Sequence, residues 1–228
     1  MKFKFIIATR KQSGTRLPIH DFLDNVKHDG IDVELDIHYG NTSGLSYTYN
    51  KAIDKSTDFE FIAFIHDDVW INDVFFFSKV INSKFDVIGA VGGCYWGVPK
   101  GFPIDEKPLI WTTATCGRGA SGFMNHDLKN GCFLPSSYGV APKETTTLDG
   151  SIIIFTRKAI QSGLRWDEQF NFHFYDMDIC FSAHILGLKV GTANILLTHE
   201  SVGGSVVQPE FMESQRKFIE KWFCGIIN

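Results

Sequence analysis

No stretch of this 228-residue chain approaches the roughly 20 consecutive apolar residues that a membrane-spanning helix needs. The opening MKFKFIIATR has too short an apolar part, and turns polar too soon, for a secretory leader. Cysteine is sparse and unpaired in pattern: Cys94, Cys116, Cys132, Cys180 and Cys224 are odd in number and contain no CxxC. That argues against a zinc knuckle and a disulfide framework and leads to the expectation of a reducing, cytoplasmic setting. Positive charge is not in excess either. With 22 Lys and Arg against 26 Asp and Glu, the net charge is -4, which argues against a general nucleic-acid or anionic-membrane binder. One local basic spot remains at Arg10, Lys11 and Arg16. There are no internal repeats, no low-complexity tract and no composition shift that marks a second domain.

What is present is a hydrophobic fraction of 44%, enough for a sizeable core in one domain. Apolar β-rich runs alternate with helix-like periodicity. Strands are predicted at Lys4 to Ala8, Asp32 to His38, Phe59 to Ile65, Val87 to Val91, Ser151 to Phe155 and Lys189 to Leu197. Helices are predicted at Pro18 to Val26, Leu45 to Ile53, Asp73 to Ile81, Arg157 to Ser162, Tyr175 to Leu186 and Glu210 to Phe223. Asn72 or Asp73 is the expected cap of the third helix. Strands separated by helices imply βαβ units and a mostly parallel central sheet flanked by helices. The middle, 92–147, is rich in Gly, Pro, Ser and Thr. It is expected to supply short strands and loops beside the site, with a mobile part around Cys116 to Asn125.

Three places carry chemistry. FIAFIHDDVW is an apolar strand that ends abruptly in His66, Asp67 and Asp68, and ligands of open α/β sheets bind beyond the carboxyl ends of strands. Side chains alternate, so His66 and Asp68 face one side and Asp67 the other. A carboxylate there can hold a hard divalent cation through oxygen, and the cation would neutralise a diphosphate. The competing reading is plain strand termination or helix capping.

The second place is WDEQFNFHFYDMDICFSAHILG, where an aromatic stretch leads into Asp176 at the start of a helix. Asp178 lies about 200° further round that helix, so the two carboxylates cannot share one site. Asp176, partly buried beside aromatics, is the candidate general base. The competing reading makes Asp176 a helix cap and Asp178 a solvated charge. The third place is LLTHESVGGS, where His199 follows a strand; imidazole suits Mn²⁺ in a mixed oxygen and nitrogen site. The Gly-rich Ser201 to Ser205 can fold over phosphates through backbone N–H groups. Trp96, Trp111, Tyr95 and Phe123 in the middle segment are candidates for stacking on sugar, or for simple core packing.

Taken in order, GLSYTYNKAI, FIHDDV, LDGSIIIFTRKAI, RWDEQFNFHFYDMDICFSAHILGLKVG, LLTHES and the terminal FIEKWF resemble the inverting glycosyltransferases of family 2 with the GT-A fold. The resemblance is to the bacterial glycosyltransferase-like branch with an H-x-D-V motif, and it spans nearly the whole chain. It implies one GT-A domain over 1–228, with a nucleotide-sugar-binding half at 1–93 and an acceptor-side half with the terminal helix at 94–228. It implies Mn²⁺ or Mg²⁺ held by Asp68 and His199, and Asp176 as catalytic base. Donor contacts fall to Thr9, Arg10, Asp36, Asn50, His66 and Asp67. His66 stands where the family usually has an acid. The acceptor and sugar side falls to Trp111, Asp149, Gly150 and Tyr175, with Tyr175 in place of a common Glu.

The function so implied is transfer of a sugar, with inversion, from a nucleotide-diphosphate sugar (a UDP-sugar is favoured) to the hydroxyl of a glycan, lipid-linked or protein acceptor. A lipid-linked acceptor would bring the protein to the inner membrane face as a peripheral visitor. Two other classes stand beside this one. A non-catalytic module would bind the nucleotide sugar without turnover. A sugar-phosphate nucleotidyltransferase would have a basic Gly-rich turn after the first strand, faintly echoed in ATRKQSGTRLP, but would leave FYDMD and THES without a role.

Overall fold

The computed structural model describes residues 1–26, 30–56, 58–94, 119–129, 131–200 and 209–223. The chain runs β1 (Lys2–Ala8), α1 (Pro18–Asn25), β2 (Asp32–His38), α2 (Leu45–Asp54), β3 (Phe61–Ile65), β4 (Val69–Ile71), α3 (Phe76–Ile81), β5 (Val87–Gly89) and β6 (Val91–Gly93). It continues with β7 (Ser121–Asp127), β8 (Phe133–Gly139), β9 (Lys143–Glu144), β10 (Thr147–Leu148), β11 (Ile152–Thr156), α4 (Arg157–Gln161), α5 (Tyr175–Ile185), β12 (Val190–Thr192), β13 (Leu197–His199) and α6 (Pro209–Phe223).

Strand alternation builds the core. Phe3, Phe5 and Ile7 of β1, Phe61, Ala63 and Ile65 of β3, and Ile152 and Ile154 of β11 point to one face of the main sheet. Ile6, Ile62, Phe64, Ile153 and Phe155 point to the other. Both faces are covered, which is why β3 reads as an unbroken apolar run and β1 and β11 nearly so. The first face packs against α1, α3 and a second sheet, where Phe3, Phe5, Phe22, Phe76 and Phe77 form a ring cluster. The second face packs against α2, α4, α5 and α6.

The main sheet has the order β2-β1-β3-β11-β5-β12-β9, and the second β10-β6-β7-β13-β4 with β8 on β7. The expectation of a mostly parallel sheet is corrected: β1 is parallel to β2 and β3, and β12 to β5, but β11 runs antiparallel between β3 and β5. The βαβ inference holds for the first three strands. It fails at β11 because the chain reaches that position from the second sheet, by way of β10, rather than through a crossover helix.

Other expectations change too. Ser121 to Asn125, expected within a mobile part, belongs to β7, a largely buried inner strand of the second sheet; 116–118 lie outside the described residues. The single strand at Lys189 to Leu197 is two strands, because the chain leaves the main sheet after Thr192 and joins the second at Leu197. The helix expected from Asp73 starts at Phe76. Asp73 instead accepts the Phe75 and Leu196 N–H groups at 3.0 and 3.1 Å and pairs with Lys79 at 2.6 Å. Phe211, Phe218 and Trp222 of α6 pack on this chain, against Phe174, Phe170 and Phe181.

Candidate active site

The site lies where three segments meet at the junction of the two sheets. β3 ends at Ile65, and His66, Asp67 and Asp68 carry the chain across to β4 in the second sheet. β11 starts opposite: Ile152 pairs with Ile65, and the His66 N–H donates to the Ser151 carbonyl at 3.1 Å. Asp149 and Gly150 are thereby set beside His66. β13 ends at His199, paired with Val69 on one side and His126 on the other, and the Glu200 N–H donates to the Asp68 carbonyl at 3.0 Å.

Alternation at the end of β3 acts as the sequence requires. Asp67 turns to the loop after β1, where it accepts a hydrogen bond from the Thr9 hydroxyl and lies 3.8 Å from the Lys11 ammonium. The Thr9 hydroxyl in turn accepts the Lys11 N–H at 3.0 Å. His66 and Asp68 turn the other way and meet His199. Among the described residues, these three form a group whose potential ligand atoms all lie within 4.8 Å of one another.

Asp68 Oδ1 is buried and accepts no hydrogen bond; His199 Nε2 is 3.3 Å away without the alignment of one. A buried carboxylate oxygen left without a partner is costly. Two imidazoles and one carboxylate are a donor set that divalent transition ions accept. The residues present therefore fit a metal ion. Burial would raise the Asp68 carboxyl, but His199 and His66 outweigh it and hold it below its ordinary value. Burial would lower His199, but Asp68 beside it raises it. His66 is lowered, by burial and then by His199.

Asp176 reaches the same place from the other side of the main sheet. Phe174, at φ 63°, is in the left-handed region, unusual for a bulky residue. Its ring is buried against Phe211 and Phe218, at 5.1 and 5.3 Å. That turn places Tyr175 and Asp176 in the first helical turn of α5. Asp176 Oδ1 accepts the Met177 N–H at 2.9 Å, and Oδ2 accepts the Gly150 N–H at 3.2 Å. Burial, followed by the neighbouring charge of Asp149, pushes the Asp176 carboxyl up to about 7. The Tyr175 hydroxyl donates to the Gly150 carbonyl at 2.8 Å and lies 2.7 Å from His66 Nε2. Gly150, bonded to Asp176 through its N–H and to Tyr175 through its carbonyl, so links the candidate base to the tyrosine that touches the candidate metal ligand His66. A side chain at Gly150 would put its Cβ 2.2 Å from the Tyr175 hydroxyl, so only glycine fits.

Other expected site residues are placed as follows. Asp149 Oδ1 accepts the Ser151 N–H at 2.9 Å. Asp36, near the end of β2, lies 3.5 Å from the Lys4 ammonium and 3.3 Å from His38 Nε2. Arg10 is exposed on the loop next to Thr9. The Asn50 amide is engaged elsewhere: it pairs with the backbone of Trp166 through both its groups, at 2.9 Å each, and with Glu168 at 3.0 Å. It is tied to the 166–168 segment rather than to the acidic cluster. Trp111, Trp96, Tyr95 and the Ser201 to Ser205 loop lie outside the described residues, and Phe123 is half-buried on β7. Asp178 is buried rather than solvated, accepting from Lys221 at 2.7 Å and the Trp222 indole at 2.8 Å.

Sequence reasoning missed four neighbours of the site. Lys11 was readable only as part of a basic spot. Phe172, 53% exposed, stacks on His66 at 5.9 Å and 19°. His126 and Tyr138, 3.3 Å apart, come from strands hidden in the irregular middle; burial and then His199 lower His126.

A family profile described as "Glycosyltransferase like family" matches residues 29–201, more than half of the chain and all of the site's acidic and histidine positions. The chain belongs to this glycosyltransferase-like family. Two solved glycosyltransferase structures share its fold. The S. aureus TarS 1-349 structure aligns at TM-score 0.52 with 13% identity, covering 97% of this chain and 65% of that one. GalNAc-T7, solved with UDP, GalNAc and Mn2+, aligns at 0.59 with 9% identity, covering 97% and 49%. This chain thus spans about half to two thirds of their lengths. The GT-A fold expected from the motifs of this family member is its fold, with a mixed main sheet. No curated protein sequence matches the chain. None of its described helices is long and apolar enough to cross a membrane.

Proposed function

We propose that this member of the family transfers a sugar from a nucleotide-diphosphate sugar, a UDP-sugar for preference, to an acceptor hydroxyl with inversion at the anomeric carbon, in a metal-dependent reaction. One observation carries the proposal: a carboxylate raised to about 7 and a His–Asp–His group, supplied by separate segments of the chain, are linked through Gly150 and Tyr175. The UDP, GalNAc and Mn2+ in the GalNAc-T7 structure support the choice of donor class and ion.

His66, Asp68 and His199 would hold Mn²⁺ or Mg²⁺, and the ion when bound would offset the negative charge of the donor diphosphate. This gives His66 a ligand role rather than the donor contact that the resemblance implied. Thr9 and Lys11 of the loop after β1, tied to Asp67 after β3, line the nucleotide edge with Arg10 and Asp36. Asp176 takes the proton of the acceptor hydroxyl. The acceptor oxygen forms the new bond at the anomeric carbon as the bond to the diphosphate oxygen breaks, and the nucleoside diphosphate leaves with that electron pair. With Asp176 as the base and the acceptor oxygen as the nucleophile, a single displacement inverts the centre. The two N–H groups that Asp176 accepts leave lone pairs on both oxygens for the incoming hydroxyl.

The test is a panel of nucleotide sugars with candidate acceptors, read as nucleoside diphosphate release with and without Mn²⁺, and as product configuration by NMR. Metal-dependent release with an inverted product is expected. A retained product would sink the single displacement. Calorimetric donor binding with no release under any condition would make the protein a binding module instead.

A further inference from the structure

The Tyr175 hydroxyl carries one proton and has two neighbours, the Gly150 carbonyl oxygen at 2.8 Å and His66 Nε2 at 2.7 Å. The carbonyl can only accept. If the tyrosine gave its proton to the imidazole, two oxygen acceptors would face each other at hydrogen-bond distance with nothing between them. Both contacts are satisfied together in one way only: Tyr175 donates to Gly150, and His66 donates from a protonated Nε2 to the tyrosine oxygen. A neutral imidazole protonated at Nε2 keeps its lone pair at Nδ1.

We infer that Tyr175 is a positioning residue that fixes His66 as its Nε2–H tautomer, so that Nδ1 is the nitrogen offered to the divalent ion beside Asp68 and His199. This rests on the metal-dependent reading above and goes further, because it assigns the tautomer, the ligating atom and the group that enforces both. The parts are rigid. Tyr175 is buried, with its ring tilted against Trp166 at 5.4 Å and Tyr49 at 6.4 Å. His66 is held between Tyr175 and Phe172, whose rings lie at 6.2 and 5.9 Å from its own. Gly150 is the hub, its carbonyl taking the tyrosine proton and its N–H going to Asp176. One residue thus touches both the base and the group that orients the metal ligand. A partner on the far nitrogen of a ligating histidine is how its tautomer and basicity are ordinarily set.

The experiment uses the full chain, labelled with ¹⁵N at histidine. In the metal-free wild type at about pH 8, above the ordinary histidine range, two-bond ¹H–¹⁵N spectra are expected to show His66 protonated at Nε2. In Tyr175→Phe that preference is expected to relax to a mixture, and Mn²⁺ affinity, read by EPR with Mn²⁺ alone and with UDP, to fall about 10- to 100-fold. Gly150→Ala, whose Cβ would displace the tyrosine hydroxyl, is expected to do the same. A His66 protonated at Nδ1 in the wild type overturns the inference and leaves the metal reading standing if Mn²⁺ still binds. Unchanged affinity in Tyr175→Phe overturns it likewise. A wild type that binds no Mn²⁺ in either condition removes the metal reading, and this inference with it.

Discussion

Replacing Asp176 with Asn is expected to cut turnover sharply and, at alkaline pH, to favour the fold. The folded carboxyl titrates at about 7, against roughly 4 in an unfolded chain. A carboxyl whose folded value is raised favours the folded state while both forms are protonated. That advantage is whole below about pH 4 and is lost as pH rises to about 7, because the fold then has to keep an anion beside Asp149 with little water. A gap of about three units at ~1.4 kcal/mol each sets an upper bound of ~4 kcal/mol. Asp176 is only half-buried, so solvent screening reduces this to ~2 kcal/mol. Asn carries no charge and escapes the penalty, but it gives up one of two acceptor contacts, since its NH₂ cannot accept from both Met177 and Gly150. That costs ~1 kcal/mol at every pH. The constant cost cancels in a comparison across pH. Urea unfolding at about pH 5 and pH 8 should show the variant gaining ~1–2 kcal/mol on the wild type over that interval. In the wild type, kcat should rise with pH through a midpoint near 7, and in the variant it should fall by two to four orders of magnitude while donor affinity is kept. A stability difference that stays flat or moves the other way would refute the burial argument. Near-normal turnover would refute the base.

Asp68→Ala should lower Mn²⁺ affinity at least tenfold and weaken donor binding only in the presence of metal, as read by calorimetry with and without EDTA; equal donor affinity in both would remove Asp68 from the metal site. Asp178→Ala should act in the opposite sense to the Asp176 substitution. It strands the Trp222 indole and half of the Lys221 pairing, at a cost of ~1–3 kcal/mol in thermal or urea unfolding, with donor affinity unchanged. Full stability with lost donor binding would show that the structural role is misread.

The legible parts of the fold were the ones that local pattern determines. β3 announces itself because its positions are apolar on both faces, β1 because it is apolar apart from its lysines, and β2 because Val33, Leu35 and Ile37 alternate with polar residues; the buried residues of α2 and α6 recur at helical spacing, while α5 is buried nearly all round. The end of β3 was legible for the same reason: once FIAFI is a strand, alternation alone sends Asp67 to Thr9 and Asp68 to the far side. What local pattern cannot carry is which strand a short segment joins. Val69–Ile71 is three residues long, and Val190–Thr192 and Leu197–His199 look continuous until the sheets to which they belong are known. The direction of β11 was lost in the same way, because the sequence shows no helix on the route by which the chain arrives.

Asp176 and Asp178 show the limit more sharply. They lie two residues apart in the first turn of one helix, and helical geometry correctly sends them different ways. Geometry alone does not say what each will meet. Asp176 meets burial and the charge of Asp149, which lift it toward neutrality against the Met177 and Gly150 N–H groups that favour its anion. Asp178 is raised by burial too, but it meets a lysine and an indole from α6, which offset part of that burial and make it a clamp. An exposed Asp178 was a fair expectation for a carboxylate in a first helical turn, and the partners that bury it lie more than forty residues further along the chain. The same carboxylate chemistry becomes a proton acceptor in one place and a fastening in the other because of who supplies the neighbouring charge. A charged residue in such a chain is therefore given its role by contacts made across the fold, and a motif supplies only the pair of candidates.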